Sequence, residues 1–521
     1  MTADGETISV LATVRNTGGF PGKEVVQLYV SVPGRKLDSP YQVLAAWQKT
    51  RELAPGGDET LTLRFKLSDL AGYDSENERY FLESGDYILR LGSSSADTVV
   101  CGVARLDGDA VTRKVRNVCG DPGFEDWKPE AKREDELPDG IEVVEIDAAS
   151  IPMETVNYDR APKTAPAVKG LTNEQLAYIN VGAFNPKAGP LGIIGNASTS
   201  VAGAAGETTG ILKDRGLPVL VMADGPAGLR LSRQYIVDGK GNVQSLGEGM
   251  PESILEFLSP LQASALRLLS GKNPQKGVRV HEQYATAIPI GTAIAQSWNL
   301  ELAEVCGDMV GSEMERFGVH LWLAPALNIH RDIRCGRNFE YFSEDPLISG
   351  RFAAAITRGV QRHPGRGTTI KHYAANNQET NRYNNSSRVS ERAMREIYLR
   401  GFEICVKEAQ PYTLMTSYNL LNGRHTSESR GLTEYILRCE WGFDGVVMTD
   451  WIVAAGILSK NALYPAPKAS NIAAAGGNLV MPGNQGDWKD IVTAVREGRL
   501  MREQLEINAA KVMEIADQLV K

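Results

Sequence analysis

Polar and aromatic residues collect at the ends of short apolar segments in the second half of the chain. Five such segments are each followed by groups that donate or accept hydrogen bonds. These residues are Asp224, Asn328, Lys371, His372, Tyr418, Asp450 and Trp451, with Arg337 in the stretch after Asn328. One aspartate after a strand is often only a helix N-cap. Five successive segment ends of this kind indicate one shared site.

The residue types suit a ligand rich in hydroxyl groups, such as a sugar. Asp224 supplies a bidentate acceptor, whereas Arg337, Lys371 and His372 are donors. Trp451 offers a flat aromatic wall. Asp450 follows a buried segment, and cations around such a carboxylate are expected to lower its pKa. It would then stay ionised and could attack an anomeric carbon.

Alternating strands and helices must position these residues. We expect strands at residues 219–223, 321–324, 368–372, 413–418, 445–449 and 478–481. Helical spacing follows Asn299 and Ser390, which are candidate N-caps, and a last helix ends the chain. After Asn299 the predicted buried stripe is Leu302, Val305, Cys306, Met309 and Val310. Repeated βα units over residues 166–521 predict an α/β fold, a (β/α)8-like barrel with its site at the carboxyl ends of the strands. An open doubly wound sheet is the second interpretation, although the GxGxxG fingerprint is missing.

The first 105 residues have a different pattern. Apolar and polar residues alternate over 10–14, 24–30, 60–65 and 87–91, and Gly- and Pro-rich turns separate them. Period-two alternation predicts an all-β sandwich. Residues 106–165 are rich in charge and proline and predict an extended connector with Trp127 as an anchor; a disordered linker is the alternative. Residues 231–282 are interpreted as a loop over the barrel mouth or as disordered surface.

Several motifs resemble glycoside hydrolase family 3. NTGGFPGKEVVQLYV, LAPGGDETLTLRF and LESGDYILRLGSSS look like its fibronectin type III-like accessory domain. ADGPAGLR, APALNIHR, GRNFEYFSEDP, KHYA, SYN and VMTDW look like its β-glucosidase barrel, in the same order. The resemblance implies a fibronectin type III-like sandwich before the barrel. KHYAANN also differs from the N-acetylglucosaminidase branch, which has a Gly-His-containing loop after Lys-His.

The resemblance implies a role for each matching residue. Asp450 matches the nucleophile of a retaining exo-β-glycosidase, in which a glycosyl-enzyme forms and a second carboxyl group acts as acid and then base. The residues that match contacts to the terminal sugar are Asp224, Arg337, Lys371, His372, Tyr418 and Trp451, with Arg388 as a further candidate.

The second carboxyl group is not evident from the motifs. In two-domain members of the family it comes from an α/β sandwich domain over the barrel mouth, and this chain resembles the last two parts of members with reversed domain order. We therefore expect a sandwich that is incomplete at its start, and an acid/base glutamate on a missing domain or a separate chain. In-chain alternatives are Glu379, Glu340, Glu344 and Glu282.

The predicted function is that of a β-glucosidase. A β-xylosidase or arabinosidase of the same family remains open, as does a slow or non-catalytic sugar-binding subunit. A Schiff-base lyase using Lys371 is a third class. The expected partners are a small oligosaccharide or an aryl or alkyl β-glycoside and the domain that carries the acid; a homo-oligomer is left open.

Composition excludes several other classes. The 521 residues have 23% charged residues and a net charge of −8, which is unlike a protein that grips nucleic acid without sequence preference. Six cysteines and six histidines lack metal-binding spacing, so we expect no metal and no cofactor. No apolar run spans a membrane and MTADGETISV does not read as a signal peptide, so we expect a cytoplasmic location.

Overall fold

The computed structural model describes residues 1–128, 137–159, 164–184, 198–208, 210, 213, 216–239, 241–246, 278–454 and 463–520. Within these residues the chain forms two compact units. The first consists of Met1–Tyr158 with the pieces Ser297–Asn299 and Ser390–Glu396, and the remaining residues form the second. Among the described residues, no helix is both long and apolar enough to cross a lipid bilayer.

The first unit is the all-β sandwich that its alternating sequence predicts. Its strands are Thr2–Asp4, Thr7–Arg15, Val25–Ser31, Val43–Lys49, Asp58–Lys66, Gly72–Asp74, Arg79–Leu82, Gly85–Ser94, Asp97–Leu106, Ala110–Lys114 and Val143–Ile146. They form one sheet of five strands and two sheets of three. Alternate side chains enter the core, where Ile8, Leu63 and Leu89 are at most 1% exposed. Burying one side of each strand stabilises this pattern through the hydrophobic effect.

The stretch 106–165, for which an extended connector is predicted, supplies two of these strands. Ala110–Lys114 pairs with Arg79–Leu82, and Val143–Ile146 lies parallel to Asp97–Leu106. Ile146 is the one buried residue of Val143–Ile146, so the sequence shows little alternation there. Trp127 does not act as an anchor, because 82% of its surface is exposed.

A parallel sheet forms the centre of the second unit. Its adjacent strands are Val221–Ala223, Leu321–Trp322, Gly367–Tyr373, Thr413–Thr416 and Val446–Met448. These five strands lie where the sequence predicts them, and four of them are shorter than predicted. Their residues are buried on both faces, as is typical of parallel strands that lie between other layers.

Single bridges extend this sheet beyond Val446–Met448. Leu479 pairs with Met448 and Val480 pairs with Val181, both in parallel, within the strand predicted at residues 478–481. The sheet therefore continues from the last predicted strand to the start of the second unit.

On its other side the sheet closes through a strand that runs in reverse. Gly206–Glu207 is antiparallel to Val221–Ala223, and Gly182 forms an antiparallel bridge with Thr208. The pairings thus make a closed ring of eight segments. This is the predicted (β/α)8-like barrel, except that its second segment is antiparallel; an open doubly wound sheet would have two unpaired edges.

Helices connect the segments of the ring. The α-helices of the second unit are Pro166–Lys169, Asn173–Ile179, Gly291–Gln296, Leu300–Phe317, Pro346–Gln361, Arg400–Ala409, Ala469–Ala474, Gln485–Arg496 and Arg502–Leu519. A π-helix spans Gly431–Glu440, and another, Met394–Tyr398, begins in the piece Ser390–Glu396 that is assigned to the first unit. Ser390 is the predicted N-cap of the short helix Glu391–Ala393, because its side chain accepts from the Ala393 amide. The last helix, Arg502–Leu519, is present as predicted and buries an apolar stripe of Leu505, Ala509, Val512, Ala516 and Leu519.

The stripe predicted for Leu300–Phe317 is wrong in part. Leu302 and Val305 are 42% and 58% exposed, and small residues occupy the buried face instead. A Cβ at Gly307 would come within 2.2 Å of the Ile356 carbonyl oxygen on the neighbouring helix. The absence of side chains lets the two backbones touch, so hydrophobicity alone selects the wrong face.

The described part of residues 231–282 contains a small antiparallel sheet, where a loop or disordered surface is expected. Its strands are Gln234–Val237, Val243–Leu246 and His281–Glu282, with Gln234–Val237 in the middle. We call it the small sheet below.

Candidate active site

The strand ends of the second unit bring predicted site residues into contact. Lys371 Nζ donates to Asp224 Oδ1 at 2.9 Å, and His372 Nε2 lies 3.7 Å from Asp450 Oδ2. These residues come from three different strands. Parallel neighbouring strands place their carboxyl ends on the same edge of a barrel, which explains the meeting of residues far apart in sequence.

Asp224 accepts hydrogen bonds from two cationic side chains. Its second oxygen, Oδ2, accepts from Arg230 Nη2 at 2.9 Å, while Lys371 occupies Oδ1. Burial would raise the pKa of this carboxyl group, but Lys371 and Arg230 outweigh it and hold the pKa at about 2. Asp224 is therefore ionised at neutral pH and partly exposed, as a bidentate acceptor of sugar hydroxyls must be. The ion pair also occupies the Lys371 ammonium, which disfavours a Schiff-base role.

Asp450 accepts a hydrogen bond on one carboxyl oxygen, and its other oxygen lacks a described donor. Its Oδ1 accepts from the Trp451 amide at 2.7 Å, and its buried Oδ2 receives no hydrogen bond from the part of the chain that the structure describes. Burial raises the pKa of Asp450, although Arg337 and Lys371 oppose the shift. The prediction of a low pKa is thus wrong, because removal of the carboxylate from water outweighs the nearby cations.

His372 is buried and fixed through its backbone. Asn328 Oδ1 accepts from the His372 amide, and Asn328 Nδ2 donates to the His372 carbonyl oxygen, both at 2.9 Å. Burial, together with Arg337 and Lys371, lowers the pKa of His372 well below its usual value. The ring is therefore neutral and donates from one nitrogen only, so it is a weaker donor than predicted.

Aromatic residues form one wall beside Asp450. Trp451 Nε1 donates to the Ala205 carbonyl oxygen at 2.9 Å, and Tyr418 Oη donates to the Trp451 carbonyl oxygen at 2.8 Å. The Tyr418 ring also packs on Tyr383, with 4.3 Å between ring centroids. Burial raises the pKa of Tyr418 well above its usual value, which keeps the phenol protonated and donating.

Two arginines near Asp450 are each paired with a glutamate. Arg337 Nε donates to Glu340 Oε1, and Arg382 Nη1 donates to Glu379 Oε2 at 2.9 Å. Burial opposes the charge on Arg337, but Glu340 raises its pKa well above the usual value. Both guanidinium groups therefore stay charged, and both lower the pKa of Asp450.

The motifs match known domain families over most of the chain. The glycosyl hydrolase family 3 N-terminal domain matches residues 244–515, and a fibronectin type III-like domain matches residues 24–95. The chain belongs to glycosyl hydrolase family 3.

Similar proteins include enzymes that are named for different substrates. β-Glucosidase A of Butyrivibrio fibrisolvens is 33% identical over 488 residues, which cover 86% of this chain and 51% of that protein. An exo-α-(1→6)-L-arabinopyranosidase of Bifidobacterium longum is 35% identical over 355 residues, covering 68% and 37%. The solved structure of a β-glucosidase from Paenibacillus barengoltzii superposes with a TM-score of 0.75 at 29% identity, covering 100% of this chain and 55% of that chain. The chain thus spans about half the length of these family 3 proteins.

Four in-chain glutamates are candidates for the acid of a family 3 hydrolase. Glu344 is exposed, and Glu340 is buried beside Arg337. Hydrogen bonds from Gln234 and Tyr284 lower the pKa of Glu282. A proton donor needs a raised pKa instead.

Burial raises the pKa of Glu379. Asn376 Nδ2 donates to its Oε1 at 3.1 Å and Arg382 Nη1 donates to its Oε2, so both oxygens accept. This geometry suits a carboxylate that positions Arg382 better than an acid that gives up a proton.

The structure also brings to the candidate site residues that are not predicted from the sequence. These residues are Arg230 and Arg382. Asn328, which is predicted only as a strand-end residue, hydrogen-bonds with the backbone of His372. Arg230 lies in the ADGPAGLR motif, six residues after Asp224, so it could have been found there. Arg388 follows Ser386–Ser387 at an exposed position, and its contact with substrate stays a prediction.

Proposed function

We propose that this chain is the barrel-bearing part of an exo-acting retaining β-glucosidase. The observation that carries the proposal is the state of Asp450, whose Oδ2 is buried and lacks a described donor while Trp451 fixes Oδ1. A carboxylate held in this way is oriented through one oxygen, while the other oxygen keeps its lone pairs free of described hydrogen bonds, as a nucleophile requires. The β-glucosidase names of relatives over both units support glucose as the terminal sugar.

The proposed reaction has two steps. Asp450 Oδ2 bonds to the anomeric carbon while the bond to the leaving-group oxygen breaks, and an acid protonates that oxygen. Water then attacks the glycosyl-enzyme, the same acid group takes up a proton from the water, and Asp450 is released. Asp224, Lys371, Arg337 and His372 hold the hydroxyl groups of the sugar during both steps, and Trp451 packs against the ring.

We infer that the acid/base lies outside this chain's barrel, on an α/β sandwich domain or subunit. The contacts of Glu379 support this inference, because both of its carboxyl oxygens accept hydrogen bonds, one from Asn376 and one from Arg382. A chain without its acid would act as a slow sugar-binding barrel, which is the second candidate function. Arabinopyranoside is the alternative substrate, supported by the named relative from Bifidobacterium longum.

The nucleophile can be tested without the acid. A fluoro-glucoside with a dinitrophenyl leaving group needs little protonation, so it should label the chain covalently. We expect peptide mass spectrometry to find the label on Asp450, and no label in Asp450→Asn. Asp517→Asn, at an exposed position of the last helix, is the matched control and should be labelled as the wild type is. Labelling that persists in Asp450→Asn would refute the proposal.

A further inference from the structure

The peptide between Trp451 and Ile452, directly after the proposed nucleophile, is hydrogen-bonded on both sides. Tyr418 Oη donates to the Trp451 carbonyl oxygen at 2.8 Å, and the Ile452 amide donates to the Met481 carbonyl oxygen at 3.1 Å. These two partners follow the segments that flank Val446–Met448 in the barrel ring. The peptide therefore cannot turn without breaking at least one of the two bonds.

The backbone of Ile452 is strained. Its φ is +57°, in the left-handed region where the Cβ of an L-residue is crowded by backbone atoms. Among the non-glycine residues that the structure describes with a positive φ, Ile452 alone is β-branched, and β-branched residues rarely adopt this conformation. Such a conformation persists only where surrounding contacts hold it. The hydrogen bonds to Tyr418 and Met481 are contacts of this kind.

The held peptide is connected directly to the carboxylate of Asp450. The Trp451 amide donates to Asp450 Oδ1 at 2.7 Å, so the orientation of Trp451 decides how that oxygen is held. On the other side of Asp450, the Thr449 amide donates to the Leu479 carbonyl oxygen at 3.0 Å, and Thr449 Oγ1 accepts from the Met481 amide at 2.9 Å. The backbone is thus fixed both before and after the carboxylate.

The surroundings of Tyr418 keep its hydroxyl in one place. The side chain is buried, its ring packs on Tyr383, and the guanidinium carbon of Arg382 lies 4.7 Å from the ring centroid. Burial raises the pKa of Tyr418 well above its usual value, so the hydroxyl stays protonated and remains a donor at neutral pH. A fixed ring therefore presents a permanent donor to the Trp451 carbonyl oxygen.

We propose that Tyr418 is a positioning residue for the nucleophile. Its hydroxyl holds the Trp451–Ile452 peptide in the strained turn, and this turn aims the Asp450 carboxylate at the anomeric carbon. Tyr418 then acts through the backbone rather than through a hydrogen bond to the sugar. The inference rests on the proposed function, because it takes Asp450 as the nucleophile.

Tyr418→Phe separates positioning from sugar binding, because it keeps the ring and removes only the donor. The probes are the fluoro-glucoside with a dinitrophenyl leaving group, whose labelling rate at saturation reports attack by Asp450, and glucose, whose affinity is measured by titration. We expect the labelling rate to fall about tenfold, since misplacement of a reacting group slows attack on this scale. Glucose affinity should stay unchanged. An unchanged labelling rate, or weaker glucose binding, would overturn the proposal.

The strained residue provides a second measurement. Glycine adopts a positive φ at little cost, so Ile452→Gly removes the tendency of the turn to relax when a hydrogen bond is lost. In the Ile452→Gly background, Tyr418→Phe should therefore slow labelling by a smaller factor than it does in the wild type. The same factor in both backgrounds would mean that Tyr418 acts independently of this turn, which contradicts the proposal.

The matched control is Tyr87→Phe in the first unit. Tyr87 is buried and its hydroxyl donates to the Glu83 carbonyl oxygen at 3.0 Å, so this change removes the same kind of hydrogen bond. It should lower the melting temperature and leave both the labelling rate and the glucose affinity unchanged. Equal losses of labelling rate in Tyr87→Phe and Tyr418→Phe would show a general effect of stability and overturn the positioning role. Absence of a label on Asp450 in the wild type would instead overturn the proposed function.

Discussion

The carboxamide of Asn328 is hydrogen-bonded to both the amide nitrogen and the carbonyl oxygen of His372, each at 2.9 Å. One side chain therefore fixes the backbone of a neighbouring strand at the point where Lys371 and His372 enter the site. Both residues are buried, at 2% and 1% exposure, so water cannot replace these bonds. The orientation of the donors depends on Asn328 although Asn328 itself does not reach Asp450 in the described contacts.

Removal of this carboxamide should affect binding and stability together. We expect Asn328→Ala to lower the free energy of unfolding by about 1–3 kcal/mol, because two buried backbone groups lose their partners. Glucose affinity should fall several-fold, as measured by titration. Asn471→Ala removes an exposed hydrogen bond and is the control, for which we expect less than about 0.5 kcal/mol. Equal effects of the two changes would contradict the positioning role.

The two cations on Asp224 should differ in importance. Lys371 is 4% exposed, whereas the Arg230 side chain is 63% exposed. Lys371→Met leaves only the solvent-exposed Arg230 to offset the Asp224 carboxylate, so it should lower the free energy of unfolding at neutral pH by about 3–5 kcal/mol. Arg230→Met should lower it by about 1 kcal/mol or less. Urea unfolding of both variants measures the difference.

The same ion pair predicts a pH dependence. The folded-state pKa of Asp224, about 2, is below its unfolded value of 3.8. The stability it contributes is therefore present above pH 3.8 and is lost as the pH falls toward 2. The difference in unfolding free energy between wild type and Lys371→Met should shrink over that range. If the difference in unfolding free energy stays constant down to the folded-state pKa of about 2, Lys371 stabilises the protein through packing rather than through its charge.

The contribution of Asp450 to stability should depend on pH in the opposite direction. Burial raises its folded-state pKa above the unfolded value of 3.8, so ionisation at higher pH opposes folding. We expect Asp450→Asn to melt a few degrees higher than the wild type near neutral pH and to lose this advantage below the unfolded pKa. Scanning calorimetry at the two pH values checks the prediction. A variant that melts lower at neutral pH would mean that the ionised carboxylate stabilises the cations around it.

Glu379 can be distinguished from an acid catalyst by the leaving group. An acid is needed for a poor leaving group and hardly at all for dinitrophenolate. If Glu379 only positions Arg382, Glu379→Gln should change the rates for methyl and dinitrophenyl β-glucosides by the same factor. A selective loss on the methyl glucoside would identify Glu379 as the acid. Glu344→Gln, at an exposed position, is the control and should change neither rate.

The sequence predicts the positions of most residues of the candidate site, because they follow buried strands. Asp224 and Asp450 are found in this way, since the parallel barrel places every such end on one rim. The pKa of Asp450 could not be predicted, because it depends on how far burial outweighs the cations in three dimensions. Arg382 is not predicted for a related reason: it lies in the 3-10 helix Arg382–Asn384, so it does not follow a buried strand.

Helix faces were predicted less well where glycine replaces apolar side chains. Leu302 and Val305 carry the hydrophobic signal of their helix, yet the contact is made through Gly307. The small sheet was also missed, because its strands are short and half-exposed and carry no clear alternation. In both places the structure depends on backbone geometry, which a pattern of side-chain polarity does not record.

The reversed strand Gly206–Glu207 changes where functional residues can be sought in this barrel. The amino end of an antiparallel strand lies at the rim where the neighbouring parallel strands have their carboxyl ends. The residues that precede this strand therefore lie at the rim. Ala205, whose carbonyl oxygen accepts the Trp451 indole N–H, is such a residue, because it comes directly before Gly206–Glu207. Where Gly206–Glu207 meets the rim, we expect the residues that determine substrate preference among relatives to precede the strand. Around the rest of the rim, we expect them to follow the strands.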